Sequence, residues 1–257
     1  MPAYHDPQFQ TRLARDAADV TAAQALRYRV FVQEMGSDGA GVDHARGLET
    51  DPFDAHFDHL LLIDTARDDR VVGVYRLATL AQAQAAGRFY SDAEYDLAPL
   101  LASGRSLLEL GRSCLDPAYR GGAGMFHLWS ALADHIARAR IEILFGTASF
   151  PGTDVARIAP ALSLLHHAHL APPELRVRAR AFQSMDLIAP DAIDRRAAML
   201  TVPALIKAYL RLGGVVGEGA FVDHAFNTID VCLIMDTARL NARQASIYAR
   251  GSDGARA

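Results

Sequence analysis

An α/β fold built on a mixed sheet is predicted, and three observations predict it. Two strand-like runs, Leu60–Asp64 and Val71–Thr79, flank the charged turn Ala66–Arg70, which is the pattern of an antiparallel hairpin. A buried-strand pattern over Ser106–Leu115 then feeds a helix from Met125 to Arg140 and a short apolar strand, Ile141–Ser149. A right-handed return of this kind sets the two strands parallel. Helical and strand periods keep alternating beyond it, with no repeat, low-complexity tract or linker, so a single domain over residues 1–257 is expected.

The remaining elements follow in order. A strand is predicted over Phe9–Ala14 and a helix over Asp19–Met35, where Ala22, Ala25, Leu26, Val30 and Phe31 recur at helical spacing. Gly36 is placed to end that helix. Ser37–Phe57 is polar, carries three glycines and a run of acids, and reads as a long loop. Ala81–Gly104 reads as a short helix plus loop. Beyond Pro151 the predicted series is helix Val155–His169, strand Val177–Met185, helix Pro203–Leu212 and strands Ala220–Asp223 and Asp230–Asp236. A last helix, Ala238–Tyr248, precedes a tail from residue 249 that is expected to fray.

Composition narrows the function. The chain has 257 residues, is 51% hydrophobic and carries a formal net charge of −4, which suits a globular protein and argues against a general nucleic-acid binder. Two cysteines, Cys114 and Cys232, fall in separate predicted strands and read as buried thiols of a reducing compartment. The first ten residues have no apolar core of a signal peptide, and no apolar run reaches membrane-spanning length. A cytoplasmic protein is expected, with peripheral contact at the inner membrane face left open.

The most informative stretch is Glu109-Leu110-Gly111-Arg112-Ser113-Cys114, which puts a carboxylate and a guanidinium inside a buried strand. Residues three apart on a regular strand face opposite sides. A bulge at Gly111 would reset that parity and free backbone N–H groups to polarise a carbonyl. The following Asp116–Gly124 turn, rich in glycine, opens a helix whose N-terminus suits a phosphate. A buried ion pair followed by an ordinary loop explains the same residues equally well.

Other constellations weigh less. Arg176, Arg178 and Arg180 alternate with small apolar residues, giving either a ridge for an acidic partner or a solvated face. His166, His167 and His169 lack an acid or cysteine neighbour in sequence, so no metal site is expected. Asp223-His224 with Asp230 is a weaker site candidate, more simply read as a hydrogen-bonded strand connection. Nucleophile-elbow, Walker and dinucleotide-binding motifs are absent.

Leu26-Arg27-Tyr28-Arg29-Val30-Phe31, Asp51-Pro52-Phe53-Asp54, Arg76 and the Glu109/Arg112 strand together resemble motifs of GNAT-type acyltransferases. The branch resembled is the one shared by acyl-homoserine-lactone synthases and ornithine-lipid N-acyltransferases. Phe145–Asp154, Leu164–His167, Leu205–Gly213 and Val222–Val231 resemble the ornithine-lipid L-ornithine Nα-acyltransferase family in particular. The resemblance implies a GNAT-like fold, a mixed central sheet flanked by helices. It implies transfer of a 3-hydroxy fatty acyl group from acyl carrier protein to the α-amine of L-ornithine, the first step of ornithine lipid biosynthesis. No cofactor is implied beyond the donor's phosphopantetheine thioester, with acyl-CoA as the alternative donor.

The same resemblance assigns roles. Glu109 would relay the proton and Arg112 would order the site. Arg27, Phe31, Asp51, Asp54 and Arg76 would build the amine pocket. Ser113, Cys114, Arg120, Gly121, Gly122 and Gly124 would meet the acyl donor. In Arg120–Gly124 the glycines fall one, two and four places after the arginine, whereas the family's coenzyme A loop has them at three and five. That departure suits a donor with one phosphate, as on a carrier protein. Rival readings are acylation of another amine such as glycine or lysine, an acyl-homoserine-lactone-type synthase, and a non-catalytic module that binds acyl carrier or lipid.

Overall fold

The computed structural model describes residues 6–239. In chain order the elements are β1 (Phe9–Leu13), α1 (Ala17–Arg27), β2 (Val42–Asp43), β3 (Leu48–Glu49), β4 (Asp58–Asp64), β5 (Arg70–Thr79), α2 (Leu80–Ala85), β6 (Tyr95–Asp96) and α3 (Ala98–Ala102). Then come β7 (Leu107–Leu115), α4 (Gly124–Ala139), β8 (Ile143–Pro151), α5 (Ala159–His169), β9 (Arg178–Ala179), α6 (Arg195–Thr201), α7 (Ala204–Arg211), β10 (Val215–Val216), β11 (Phe221–Asp223) and β12 (Thr228–Asp236). The described chain gathers into two compact units, one of residues 6–78 and 111–139, the other of residues 79–110 and 140–239.

In the first unit β4 pairs antiparallel with both β1 and β5, as the hairpin pattern predicts, with one register shift between Leu62 and Ile63. Asp16 starts α1 by accepting hydrogen bonds from the N–H groups of Ala18 and Asp19. Past Arg27 the helix widens: Tyr28–Glu34 is π-helical, and Met35 N–H reaches back to Val30 O at 3.1 Å. Gly36 ends it with φ +77°. Ala23, Leu26 and Val30 pack on Leu61, Ile63, Val71, Val74 and Cys114 to form a core. α4 lies so close over β5 that a Cβ on Gly73 would stand 2.8 Å from the Leu128 side chain.

Ser37–Phe57 is not the structureless loop its composition predicts. It holds the β2–β3 pair and a 3-10 turn, Pro52–Ala55, closed by a reciprocal cap between Asp51 and Asp54.

In the second unit β7 runs parallel to β8 over Leu107–Glu109, and β8 pairs antiparallel with β12 along its whole length, so this sheet is mixed as predicted. β10 and β11 add to β12. A Cβ on Gly146 would stand 2.1 Å from Leu110 O, so only glycine fits there. The predicted strand Val177–Met185 shrinks to Arg178–Ala179, paired with β6, and α6 was not foreseen. The predicted helix Ala238–Tyr248 and the frayed tail lie outside the described residues, apart from a 3-10 turn at Thr237–Arg239.

Candidate active site

In the first unit, three arginines interlock with three acids. Arg27 is fully buried, and only partners on every side make that tolerable. Its guanidinium forks onto Asp54 at 2.7 and 2.8 Å, while Nε meets Glu49 Oε2 at 2.5 Å and a fourth bond reaches Glu49 O at 2.7 Å. Burial disfavours its charge, but Asp54 and Glu49 outweigh that and hold its pKa above the ordinary value. Arg76, on β5, pairs with Asp51 and with Asp54 Oδ1 at 3.0 Å. Its guanidinium carbon also stands 5.7 and 5.5 Å from the centroids of Phe53 and Phe57, which stack on each other.

Arg112 completes this group, with Nε 3.3 Å from Glu49 and a terminal nitrogen 3.0 Å from Asp51. The backbone irregularity expected at Gly111 falls one residue later: Arg112 has φ +49°, whereas Gly111 is not among the positive-φ glycines. A left-handed arginine is strained by about 1–3 kcal/mol. Its ion pairs to Glu49 and Asp51 are among the contacts made from that conformation. Gln24 Nε2 and the N–H of Asp51 also donate to Asp54 Oδ2, at 2.9 and 3.2 Å. His59 adds its Nε2 at 3.2 Å from Asp54 O, and burial pushes its pKa down. An open cleft of about 610 Å³ borders the network, lined in part by Gln24, Asp51, Asp54, Phe57 and His59.

Of the predicted amine-pocket residues, Arg27, Asp51, Asp54 and Arg76 therefore meet in one network. Phe31 does not join them in the contacts seen; it is half-buried against the α1 core cluster. Glu49, Gln24 and His59 were not foreseen. The signal for Glu49 was available, since three arginines beside two aspartates call for another carboxylate.

The predicted donor residues spread along the end of β7 and the turn before α4. The Cys114 side chain belongs to the core cluster, so any role at a donor falls to its backbone. Ser113 is half-buried on the same strand. Arg120 donates from Nε to Leu115 O at 3.1 Å and forks onto Glu34 at 2.5 and 2.8 Å on the surface. Gly121 has φ +76°, and Gly124 is the first residue of α4, with Gly122 between them exposed.

In the second unit, Glu109 is buried on β7 and both its oxygens accept backbone N–H groups, Tyr90 at 2.9 Å and Ser91 at 2.6 Å. Those amides open the 3-10 turn Tyr90–Ala93, whose next residue, Glu94, is also buried. Single carboxylate oxygens of Glu94, Asp223 and Asp230 all lie within 4.8 Å of one another. The arginine ridge is largely neutralised locally: Arg178 pairs with Glu218 at 2.6 Å, Arg180 with Asp92 at 2.7 Å, and Arg176 donates to Ala171 O at 2.7 Å. Asp186, distant in sequence, stands 3.2 Å from His167 Nε2, which also meets Ile188 O at 3.1 Å. His166 and His169 sit on the same helix.

Burial pushes the Cys114 thiol up to about 12. Cys232 is raised too, by burial first and then by the negative charges of Glu94 and Glu109. Neither thiol is expected to react with Ellman's reagent in the native protein at about pH 8, and both should react after unfolding. Rapid labelling of the native protein would contradict that.

Residues 26–130 match the model of the acetyltransferase (GNAT) domain family. An L-ornithine N(alpha)-acyltransferase of Rhodobacter capsulatus is 58% identical over 250 residues, covering 96% of this chain and 96% of that protein. The chain belongs to the L-ornithine N(alpha)-acyltransferase family. A family member from Rhizobium meliloti is 41% identical over 96% of this chain and 86% of its own. Among solved structures, the CoA-dependent acyl-homoserine lactone synthase BjaI is 17% identical, with a TM-score of 0.50 over 90% of this chain and 81% of its own; that likeness concerns the fold. The GNAT fold expected for an L-ornithine N(alpha)-acyltransferase is the fold found, and no helix among the described residues is long and apolar enough to cross a membrane.

Proposed function

We propose that this protein transfers a 3-hydroxy fatty acyl group from an acyl-carrier-protein thioester to the α-amine of L-ornithine, the step that opens ornithine lipid synthesis. The observation that carries the reading is 58% identity to an L-ornithine N(alpha)-acyltransferase across nearly the whole of both chains.

The chemistry asks for three things. The α-ammonium is protonated at neutral pH and must lose a proton before its nitrogen can attack. Glu109 is the group assigned to take that proton, directly or through water. The nitrogen then bonds to the thioester carbonyl carbon and sheds its second proton, the C–S bond breaks, and the phosphopantetheine thiolate leaves and takes up that proton. Amide N–H groups near the irregular end of β7, Gly111–Ser113, would polarise the carbonyl as charge gathers on its oxygen. The Arg27, Arg76 and Arg112 network with Asp51 and Asp54 would order the surrounding chain, the role suited to guanidinium groups already clasped by carboxylates. The turn Arg120–Gly124 and the N-terminus of α4 would hold the single phosphate of the carrier's arm, with acyl-CoA the alternative donor. An amphiphilic product suits a cytoplasmic enzyme working at the inner membrane face.

Expression in a host without aminolipids, followed by mass spectrometry of its lipids, tests this. An N-acylated ornithine bearing a 3-hydroxy chain is expected. Accumulation of acyl-glycine or acyl-lysine, or of no new lipid, would refute the ornithine assignment. Purified protein given matched acyl-carrier and acyl-CoA donors would decide which one it uses.

A further inference from the structure

Beside Glu109 the second unit holds a buried acidic group that the mechanism above leaves unused. β12 and β11 build it. Alternation along β12 puts Thr228, Asp230 and Cys232 on one face of the strand, and the antiparallel register places Asp223 directly opposite Thr228. Glu94 brings its carboxylate to the same place from the turn that binds Glu109, and one oxygen from each of the three acids lies within 4.8 Å of the other two. Glu94 and Asp230 are each only 4% exposed. Asp223 is half-buried, and its Oδ1 is fixed by the N–H groups of Ala225 and Phe226 at 2.8 and 3.0 Å.

A second observation is independent of the acids. Thr228 is 4% exposed, shares the strand face of Asp223 and Asp230, and its hydroxyl has no hydrogen-bond partner. Buried hydroxyls are nearly always paired, so a lone one on the strand face that carries Asp223 and Asp230 marks a place where a polar ligand completes the set. Burial is the main cause of the raised Cys232 pKa, and the charges of Glu94 and Glu109 both add to it, so both carboxylates lie near the same stretch of β12.

We propose that Glu94, Asp223, Asp230 and the Thr228 hydroxyl form the subsite for the distal ammonium of the acyl-accepting diamino acid, and so select a diamino acid over a simple one. This rests on the ornithine reading above. An alkylammonium presents three N–H donors at tetrahedral angles, and acceptors 2.8 Å away then stand about 4.6 Å apart, a spacing that three oxygens within 4.8 Å of one another can meet. Holding the distal nitrogen here would leave the α-amine as the end presented to Glu109.

The test compares L-ornithine with L-norvaline, the same carbon chain without the distal amine, as acceptors for the full-length protein. The wild type should prefer ornithine strongly. Asp230→Asn should lower that preference about 100-fold, through KM for ornithine, with kcat on norvaline and KM for the acyl donor little changed. Thr228→Val and the half-buried Asp223→Asn should lower it by smaller factors, and they carry the same readout if Asp230→Asn does not fold. Ornithine turnover with an undiminished preference in folded variants would overturn the subsite while leaving the function intact. Absence of ornithine acylation by the wild type would overturn both. Calorimetric binding of Ca²⁺ or Mn²⁺ by the wild type but not by Asp230→Asn would make this a metal site and overturn the proposal.

Discussion

Glu109→Gln is expected to lower kcat by about 10²–10⁴-fold, the range in which a positioned proton acceptor contributes. The carboxylate also has a structural duty, since it accepts the N–H groups of Tyr90 and Ser91. Glutamine keeps one oxygen acceptor and turns an NH2 donor toward the other amide, so some loosening of the Tyr90–Ala93 turn will accompany the substitution. The pH profile separates the two effects. If Glu109 takes the proton, kcat/KM of the variant should instead follow ionisation of the substrate amine, so its activity recovers toward wild type as pH rises and more amine is already neutral. A melting temperature lowered in proportion to activity, with an unaltered pH profile, would reduce Glu109 to a turn anchor.

Asp54→Asn should destabilise the fold by about 3–5 kcal/mol, the cost of removing a buried carboxylate that two buried cations share. Asp54 is 7% exposed and carries both Arg27 and Arg76. Burial acts to raise its pKa, but hydrogen bonding to Arg27 and the charges of Arg27 and Arg76 prevail, holding it well below the usual carboxylate range. A depressed native pKa stabilises the fold at every pH above the unfolded value of about 4, and that contribution drains away as pH falls below it. Denaturant unfolding should therefore show a large gap between wild type and variant at neutral pH that narrows on acidification below about pH 4. A gap under about 1 kcal/mol at pH 7 would mean that the network reorganises around the amide.

Much of the architecture could be read along the chain because it depends on local periods. The β4–β5 hairpin, the β7–α4–β8 crossover and the end of the first helix at Gly36 are each written in neighbouring residues. Where reading failed, the deciding partner was remote. Val42–Asp43 and Leu48–Glu49 form a strand pair inside a polar stretch whose end is clasped by Arg27, 22 residues from Glu49 in the chain. The alternation Arg176–Arg180 looks like a strand, yet only Arg178 and Ala179 pair with β6, while Ala179 and Arg180 spend their N–H groups on Glu218 O and Glu94 O. A strand exists only where a ladder partner meets it.

The candidate site divides in the same way. The residue types and their order were legible: an acid and a guanidinium on one strand, two aspartates in a turn, arginines upstream, a glycine-rich entry to a helix. Which of them touch was not. The strained backbone belongs to Arg112 rather than to the glycine beside it, and ion pairs to Glu49 and Asp51 are made from a conformation that local preference would give to glycine. Likewise Glu94 reaches Asp223 and Asp230 across more than a hundred residues of chain, a meeting that no spacing rule encodes. Alone, the amino-acid order determined this protein's fold class, its family and its reservoir of acids and arginines, since periodicity and motif are properties of adjacent residues. Tertiary structure decided which charges are buried together, because the cost of desolvating a charge depends on partners that only folding supplies.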